Sequence, residues 1–370
     1  MEGKKELWEV LAAYMDVNMV AEIKPYGNGH INDTNLVTVW KDEGHTDSCR
    51  MILQRINHGI FKNPDQLMEN IVKVTGWLRT KVQERGGDGE REVLSVILTK
   101  DGQACYTSQE GNYYRMYTFI DNGICLDLPR KKEDLYESGV AFGVFQGDLA
   151  DFPVNDLFET IPDFHNTVKR LEALKQAIHE DVCGLVKTVE EEIAFALSEE
   201  ESVTYCAECK KMLPVRVTHN DTKLNNAMLD AVTEKALCVL DLDTVMPGYA
   251  MDDFGDSIRF GASTALEDEK DLSKVSCDIA MFRAFAEGFV KGTGGNLTKE
   301  EILLFPLGAK MMTYECGIRF LMDYLQGNVY FKVAYPEHNL VRARNQFALV
   351  KDMNKKMDEM NQIMEEFAKI

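Results

Sequence analysis

The sequence predicts an α+β chain in two lobes, a small β-rich N-lobe and a larger, mainly helical C-lobe. Three observations carry that expectation. Up to Asn122, short apolar runs alternate with turns rich in glycine and charge. Beyond it, apolar positions recur at helical spacing over long stretches. Within that helical half, Val215 to Asp256 breaks the pattern with short strands and a dense set of acids and amides. A chain of 370 residues has the length of two domains or one bilobal unit, with ample core. The boundary near Asn122 gives an N-lobe of residues 1–121 and a C-lobe of residues 122–370.

Composition narrows the function classes. Hydrophobic residues make up 45% and charged residues 28%, as in an ordinary soluble protein. A net charge of −20, from 61 acids against 41 bases, argues against nucleic acid or an anionic membrane as partner. The acids are spread along the chain, so they do not single out a cationic substrate. The first helix is too charged for a secretory signal and lacks a cleavage site. No apolar run approaches the roughly 18 residues of a membrane span. Nine scattered cysteines, an odd number, are expected to be reduced thiols in a cytoplasm. Cys206 and Cys209 form one C-x-x-C with no second pair or nearby His, so they read as bystanders ahead of a zinc or redox pair. A monomer is the expectation.

The elements follow in order. Lys5 to Asp16 has helical spacing, with Leu7, Val10, Leu11 and Tyr14 on one face. Ala21 to Trp40 then reads as strand, turn, strand, with Pro25 ending the first arm and Gly27 and Gly29 bracketing the turn. Arg50 to Ile56 is a third strand. Pro64 opens a helix that buries Leu67, Ile71, Val74 and Leu78 and carries Glu69 as a solvated carboxylate. Val93 to Ile97 and Cys105 to Thr107 are short strands, and Tyr113 to Ile120 is a longer one running into Asp121 and Asn122.

Past the boundary, Asp134 to Ala150 is a helix whose three glycines either loosen it or admit a close neighbour. His165 and Asn166 sit just before the next helix. Thr188 to Glu201 reads as one long acidic helix with a solvated face. Asp271 to Lys291 carries Met281, Phe282, Phe285 and Phe289 at core spacing, and Thr298 with Glu301 forms a capping box. A helix follows from Met311, in which Arg319 precedes Asp323 by four residues, a spacing whose plainer reading is a helix ion pair. The turn after it sets Tyr330 beside the helix end. Met353 to Ile370 is a terminal amphipathic helix.

The chemistry concentrates between Val215 and Asp256. A strand, Val215 to Thr218, delivers a loop holding His219, Asp221 and Asn226 at H-x-D-x-x-x-x-N spacing. A turn, Asp230 to Lys235, leads to a second strand, Ala236 to Leu240, that ends at Asp241. These two strands, tightly joined, are expected to bring Asp221, Asn226 and Asp241 to one edge. The trio suits phosphoryl transfer. A hydroxyl attacking phosphorus needs a carboxylate to orient it and take its proton, a role for Asp221. Phosphate charge calls for Mg²⁺, which prefers oxygen ligands such as Asn226 and Asp241. Asp243 is expected to brace the turn. Protein kinases divide the labour in this way. The plainer reading is an Asx-rich turn capping its own backbone; the flanking strands weigh against it.

With those residues in view, THNDTKLNN, VLDLDTVMPG and DDFGDSIRFGA resemble the phosphotransferase family that includes aminoglycoside and choline kinases. Within it the wording is most similar to the bacterial N-acetylhexosamine 1-kinases. The resemblance implies a bilobal, protein-kinase-like fold, with nucleotide binding in the N-lobe and the catalytic loop and sugar site in the C-lobe. G-N-G-x-I-N-x-T-x-x-V resembles the family's phosphate loop, implying ATP contacts from Gly27, Asn28, Gly29, Asn32 and Thr34. Where the kinase plan puts a phosphate-pairing Lys, this chain has Gln54 or Arg55. Tyr117 to Ile120, Tyr117 and Phe119 among them, would hold the adenine edge.

R-F-L-x-D-Y-L-x-G-x-x-Y-F-K implies a sugar-pocket segment with Arg319 and Tyr330, joined by Asp221, Asn226 and His165 as substrate-lining candidates. The implied reaction is ATP-dependent, Mg²⁺-assisted phosphorylation of the anomeric hydroxyl of N-acetylglucosamine or N-acetylgalactosamine. Two alternatives stay open. One is a kinase of another small hydroxyl compound, such as an aminoglycoside, choline or another sugar; a cationic acceptor would ask for acids where Arg319 stands. The other is a catalytically dead nucleotide-binding module, which the absent strand Lys favours and the intact trio opposes.

Overall fold

A computed structural model describes residues 2–27 and 31–369. In chain order, α1 (Glu2–Tyr14) precedes β1 (Val20–Pro25), β2 (Asp33–Trp40), β3 (Ser48–Ile56), α2 (Pro64–Glu84), β4 (Val96–Ile97), β5 (Tyr106–Thr107) and β6 (Tyr113–Thr118). All six strands join one antiparallel sheet, ordered β1-β2-β3-β6-β4 with β5 also on β6. Side chains alternate across a strand, and that alternation decides what each face meets. Val37, Val39, Leu53, Tyr114 and Met116 pack against Val10, Leu11 and Tyr14 of α1. Ile56 and Tyr117 face the other way, toward Leu67, Ile71 and Val74 of α2. Asn63 caps α2 by accepting from the Gln66 N–H, and Pro64 fills its first turn.

The remainder comprises β7 (Gly123–Ile124), α3 (Lys132–Asp148), α4 (Thr167–Glu180), α5 (Glu190–Ser198), α6 (Glu200–Lys210), β8 (Arg216–Thr218), β9 (Ala227–Asp230), β10 (Ala236–Val239), β11 (Met246–Gly248), α7 (Ala250–Gly261), α8 (Ile279–Gly292), α9 (Lys299–Leu303), α10 (Phe305–Leu325) and α11 (His338–Phe367). A β-sheet N-terminal region and a helical C-terminal region are thus as predicted. The capping box at Thr298 and Glu301 is present in full. Among the described residues no helix is long and apolar enough to cross a membrane.

Several expectations are corrected. The strand delivering the His219 loop does not pair with the one that ends at Asp241. Instead β8 pairs with β11, while β10 pairs with β9 and β9 with β7. The acidic stretch is two helices rather than one, broken at Glu199. That residue is buried, 2.7 Å from Lys310 Nζ, and accepts from Asn354 Nδ2 at 2.9 Å. A buried carboxylate needs such partners, and a kink supplies the geometry. The expected helix from Asp271 starts only at Ile279, where Asp278 caps it. The terminal helix runs 30 residues from His338.

The glycines of α3 admit a close neighbour. A Cβ on Gly139 would lie 2.4 Å from the Phe285 carbonyl oxygen, and one on Gly143 would lie 2.3 Å from that of Phe289. Helices α3 and α8 therefore meet backbone to backbone. Gly76, inside α2, faces open space. Overpacking a closed contact costs about 1–3 kcal/mol, whereas Gly to Ala in a free helical site gains about 0.5–1 kcal/mol. Gly143→Ala should lower the urea midpoint and Gly76→Ala should raise it; the same sign for both would contradict this packing.

Candidate active site

The loop after β8 is fixed by its own backbone. Asp253, in the first turn of α7, accepts from the His219 N–H at 2.9 Å and the Asn220 N–H at 2.7 Å. Gln146 Nε2 donates to the same carboxylate at 2.9 Å. The buried His219 ring faces the Leu240 carbonyl with Nε2 at 2.8 Å, while Nδ1 accepts from the Asp221 N–H at 3.2 Å. That pairing selects the Nε2–H tautomer. Asn220 adopts a left-handed φ of 63° and donates from its amide to the Thr244 carbonyl at 2.9 Å. Thr244 Oγ1 in turn donates to the His219 carbonyl at 2.6 Å. The His219 loop and the Asp241 loop are laced together by these bonds.

Asp221 keeps 28% of its side chain exposed, with Lys223 Nζ 2.7 Å from Oδ1. Burial pushes its carboxyl up, but the Lys223 charge and hydrogen bond, with Arg259 behind them, outweigh it and hold the group below the usual range. Asn226 Nδ2 donates to the Asp221 carbonyl at 2.8 Å. The Asn226 carbonyl accepts from the Leu240 N–H at 2.8 Å, which sets Asn226 beside Asp241.

Asp241 occupies the left-handed region, φ 56°, a conformation of the kind that marks functional sites. Desolvation by the surrounding protein, then the charges of Asp243 and Asp221, push its carboxyl up to about 7. The side chain is open to solvent, so the like charges are the cause that survives full hydration. A site where carboxylates repel one another next to an amide suits a hard cation that keeps water and phosphate oxygens as its other ligands. Among the described residues no group of three or more His, Cys, Asp or Glu forms a closed metal site. Asn226 and Asp241 offer an amide and a carboxylate oxygen side by side, donors of the kind that Mg²⁺ takes.

Asp243 has a different setting. It is buried and ion-paired with Arg115 of β6, itself almost fully buried, and accepts from Asn32 Nδ2 at 2.6 Å. Arg115 donates from Nε and Nη2 to Gln54 Oε1 at 3.0 and 2.9 Å, and Gln54 Nε2 donates to Thr34 Oγ1 at 3.0 Å. The Tyr117 ring lies under the guanidinium, 5.2 Å from its centroid. A polar chain of Thr34, Gln54, Arg115, Asp243 and Asn32 thus crosses from sheet to loop.

Gly27 follows β1 with φ 74°, while Asn28 and Gly29 lie outside the described residues. Arg55 is on the α1 face, paired with Asp33 at 2.9 Å and away from that chain. Phe119 takes the Arg50 guanidinium over its ring at 4.1 Å and meets Tyr26 edge-on at 5.7 Å. Glu69 forms a surface pair with Lys73 at 2.8 Å. Cys206 and Cys209 are buried free thiols.

The Arg319–Asp323 ion pair does not form. Asp323 accepts instead from the N–H groups of Val329, Tyr330 and Phe331 at 2.8 to 3.0 Å and from Asn339 Nδ2 at 2.8 Å. Near a helix end, unpaired loop N–H groups outcompete a side chain that water can reach. Arg319 is left over the rings of Tyr330 and Phe331, 5.9 and 5.4 Å from their centroids, with no carboxylate partner among the described residues. Phe260 takes Lys223 and Arg259 over its ring at 5.5 and 3.9 Å, and both cations are paired, Lys223 with Asp221 and Arg259 with Asp256 and Glu267. His165 faces Glu315 and the Asn220 carbonyl.

Two residues of the site had escaped the sequence reading. Arg115 interrupts an otherwise apolar and aromatic strand, and a charge so placed demands a buried partner. Lys223 follows Asp221 by two residues, a cation set beside the acid.

The raised Asp241 carboxyl has a pH signature. Folded, it holds its proton up to about 7; unfolded, only to about 4. The folded state then loses stability as pH rises through that window. Without divalent metal, Asp241→Asn should melt with the wild type at about pH 4 and above it at about pH 8. A variant melting at or below the wild type at the higher pH would contradict the crowding of charge described here.

Known proteins can now be compared. Residues 22–285 match the phosphotransferase enzyme family. An aminoglycoside phosphotransferase from Alicyclobacillus acidocaldarius superposes with a TM-score of 0.59 at 13% identity, covering 97% of this chain and 96% of that one. A choline/ethanolamine kinase family protein from Mesorhizobium loti gives 0.55 at 12% identity, covering 100% and 99%. A spectinomycin phosphotransferase solved with ADP and spectinomycin gives 0.51 at 12%, covering 94% and 91%. These structures share the fold, and the matched span takes in the sheet, the two laced loops and α7. The chain belongs to the phosphotransferase enzyme family.

Proposed function

We propose that this phosphotransferase is an ATP-dependent kinase of a small neutral sugar, acting on the anomeric hydroxyl of N-acetylglucosamine or N-acetylgalactosamine. In this reading residues 1–121 bind the nucleotide, through Gly27, Asn32, Thr34, Gln54, Tyr117 and Phe119, and residues 122–370 supply the catalytic loop and the acceptor site. The ADP in the spectinomycin enzyme supports an adenine nucleotide. One observation carries the acceptor class. The guanidinium of Arg319 lies over two aromatic rings, those of Tyr330 and Phe331, with no ion-pair partner among the described residues. Such a surface repels a cationic acceptor. It suits a pyranose, whose apolar face stacks on Tyr330 and whose hydroxyl and amide oxygens accept from Arg319.

The chain's own residues would work as follows. Asp221, ionised because Lys223 keeps it so, orients the anomeric hydroxyl and takes its proton as the oxygen bonds to the γ-phosphorus and the bond to the β-phosphate oxygen breaks. Lys223 meets the negative charge of the transferring group. Mg²⁺ held by Asn226 and Asp241 would neutralise phosphate charge. Arg115 spends its charge on Asp243 inside the protein, so it is an organiser of the nucleotide side rather than a phosphate ligand.

Asp221→Asn preserves shape but removes the base. Its kcat should fall by about 10²–10⁴-fold with little change in sugar KM. Arg319→Ala should do the reverse, raising the sugar KM while leaving the ATP KM near its wild-type value. Steady-state kinetics with both substrates varied reads both effects. Near-normal turnover by Asp221→Asn would remove the general base, and an unchanged sugar KM in Arg319→Ala would remove the acceptor assignment.

A further inference from the structure

We infer that His165 is a positioning residue for phosphoryl transfer: a doubly protonated ring, charge-balanced by Glu315, that clamps the peptide group immediately preceding the Asp221 side chain. The inference rests on the reading of Asp221 as the base, and it begins from which atoms the ring faces. Nδ1 lies 3.0 Å from Glu315 Oε1, and Nε2 lies 3.2 Å from the Asn220 carbonyl oxygen. Both partners are acceptors. Only an imidazolium can donate from both nitrogens. A neutral ring would aim a lone pair either at a buried carboxylate or at that carbonyl.

The surroundings favour the charge. Glu315, on α10, is 1% exposed, and its second oxygen accepts from Thr167 Oγ1 at 2.7 Å. Burial alone would raise the Glu315 carboxyl, but His165, Arg319 and Thr167 bring it down to about 2. From α7, the acids Asp252 and Asp256 also face the ring electrostatically, and burial, which disfavours an imidazolium, is outweighed. From α6 comes one opposing cation, Lys210. It lies 2.7 Å from Asp252 and 3.5 Å from the His165 carbonyl, so it is neutralised locally. The Phe164 ring lies tilted against the imidazole, 4.5 Å between centroids.

The consequence falls on one peptide unit. The Asn220 carbonyl is held by His165, and the N–H on the other side of the same amide, that of Asp221, is held by His219 Nδ1 at 3.2 Å. Two histidines in different protonation states thus pin both ends of the amide plane from which Asp221 projects. The pinned residue, Asn220, is left-handed at φ 63°, a conformation that persists where its surroundings over-determine it. Loss of the His165 proton releases one end of that plane.

Glu315→Gln keeps the shape of the pair but removes the counter-charge, so the buried ring loses its proton at a lower pH than in the wild type. At about pH 8 its kcat, relative to wild type, should fall roughly 10- to 100-fold, the scale of a small misplacement of a reacting group. The ratio should recover as pH drops, with ATP KM little changed. In the double variant His165→Gln/Glu315→Gln the acid recovery should vanish, since no titrating ring remains. A pH-independent ratio, or recovery that persists in the double variant, overturns the proposal. Histidine-labelled NMR of the wild type reads the ring directly and needs no altered protein: His165 should hold its proton above the pH at which a free imidazole loses it, and a neutral ring at neutral pH overturns the proposal. That readout does not involve Asp221, so failure of the base assignment and failure of the clamp are distinguishable.

Discussion

The ion pair between Arg115 and Asp243 is the constraint on which the rest of the site depends. Both side chains are almost fully withdrawn from water, at 2% and 5% exposure. Taking two charges out of water costs several kcal/mol for each, and removing one partner leaves a penalty of about 3–5 kcal/mol. Further partners support the pair: Gln54 accepts twice from the guanidinium, and Asn32 donates to the carboxylate. Since Arg115 and Gln54 belong to the sheet while Asp243 belongs to the loop after β10, the pair fixes sheet against loop. Asn32, at the mouth of β2, is tied to the same carboxylate. The phosphate side and the Asp241 side of the site therefore share one anchor, and Asp241 is placed close enough to Asp243 for their charges to conflict.

A second constraint, of hydrogen bonds to main chain, holds the other half. Asp253 fixes two successive N–H groups, Thr244 and His219 tie the two loops, and both ends of the amide before Asp221 are held by imidazoles. Groups held in this way need little reorganisation when charge develops between them, which is the main physical source of electrostatic catalysis. The close backbone contact of α3 with α8 has a part in this, because α3 carries Gln146 to Asp253 and to the Val217 carbonyl.

Much of this was legible in the sequence, and the misses have physical causes. The H-x-D-x-x-x-x-N spacing and the strand that ends in Asp241 are local features, so they survive translation into three dimensions. Strand pairing did not, because β8 to β11 are three or four residues each, too short for alternation to specify a partner. The Arg319–Asp323 pairing failed because helix spacing rules describe an isolated helix, whereas Asp323 lies near a C-terminus with three loop N–H groups to satisfy. Arg115 looked like one polar residue in an apolar strand, and its partner is far away in sequence. The same holds for His165 with Glu315, and for Glu199 with Lys310. Buried charges announce that a partner exists but not which one.

The central claim is that a neutral sugar, gripped by Arg319 and the Tyr330 ring, presents its anomeric hydroxyl to Asp221. Phosphorus NMR of the product formed from ATP, Mg²⁺ and N-acetylglucosamine tests it most directly. The account predicts a single sugar phosphate whose phosphorus couples to the anomeric proton, with the reducing end lost. Phosphate on carbon 6, or equal activity on a sugar blocked at the anomeric oxygen, would contradict it.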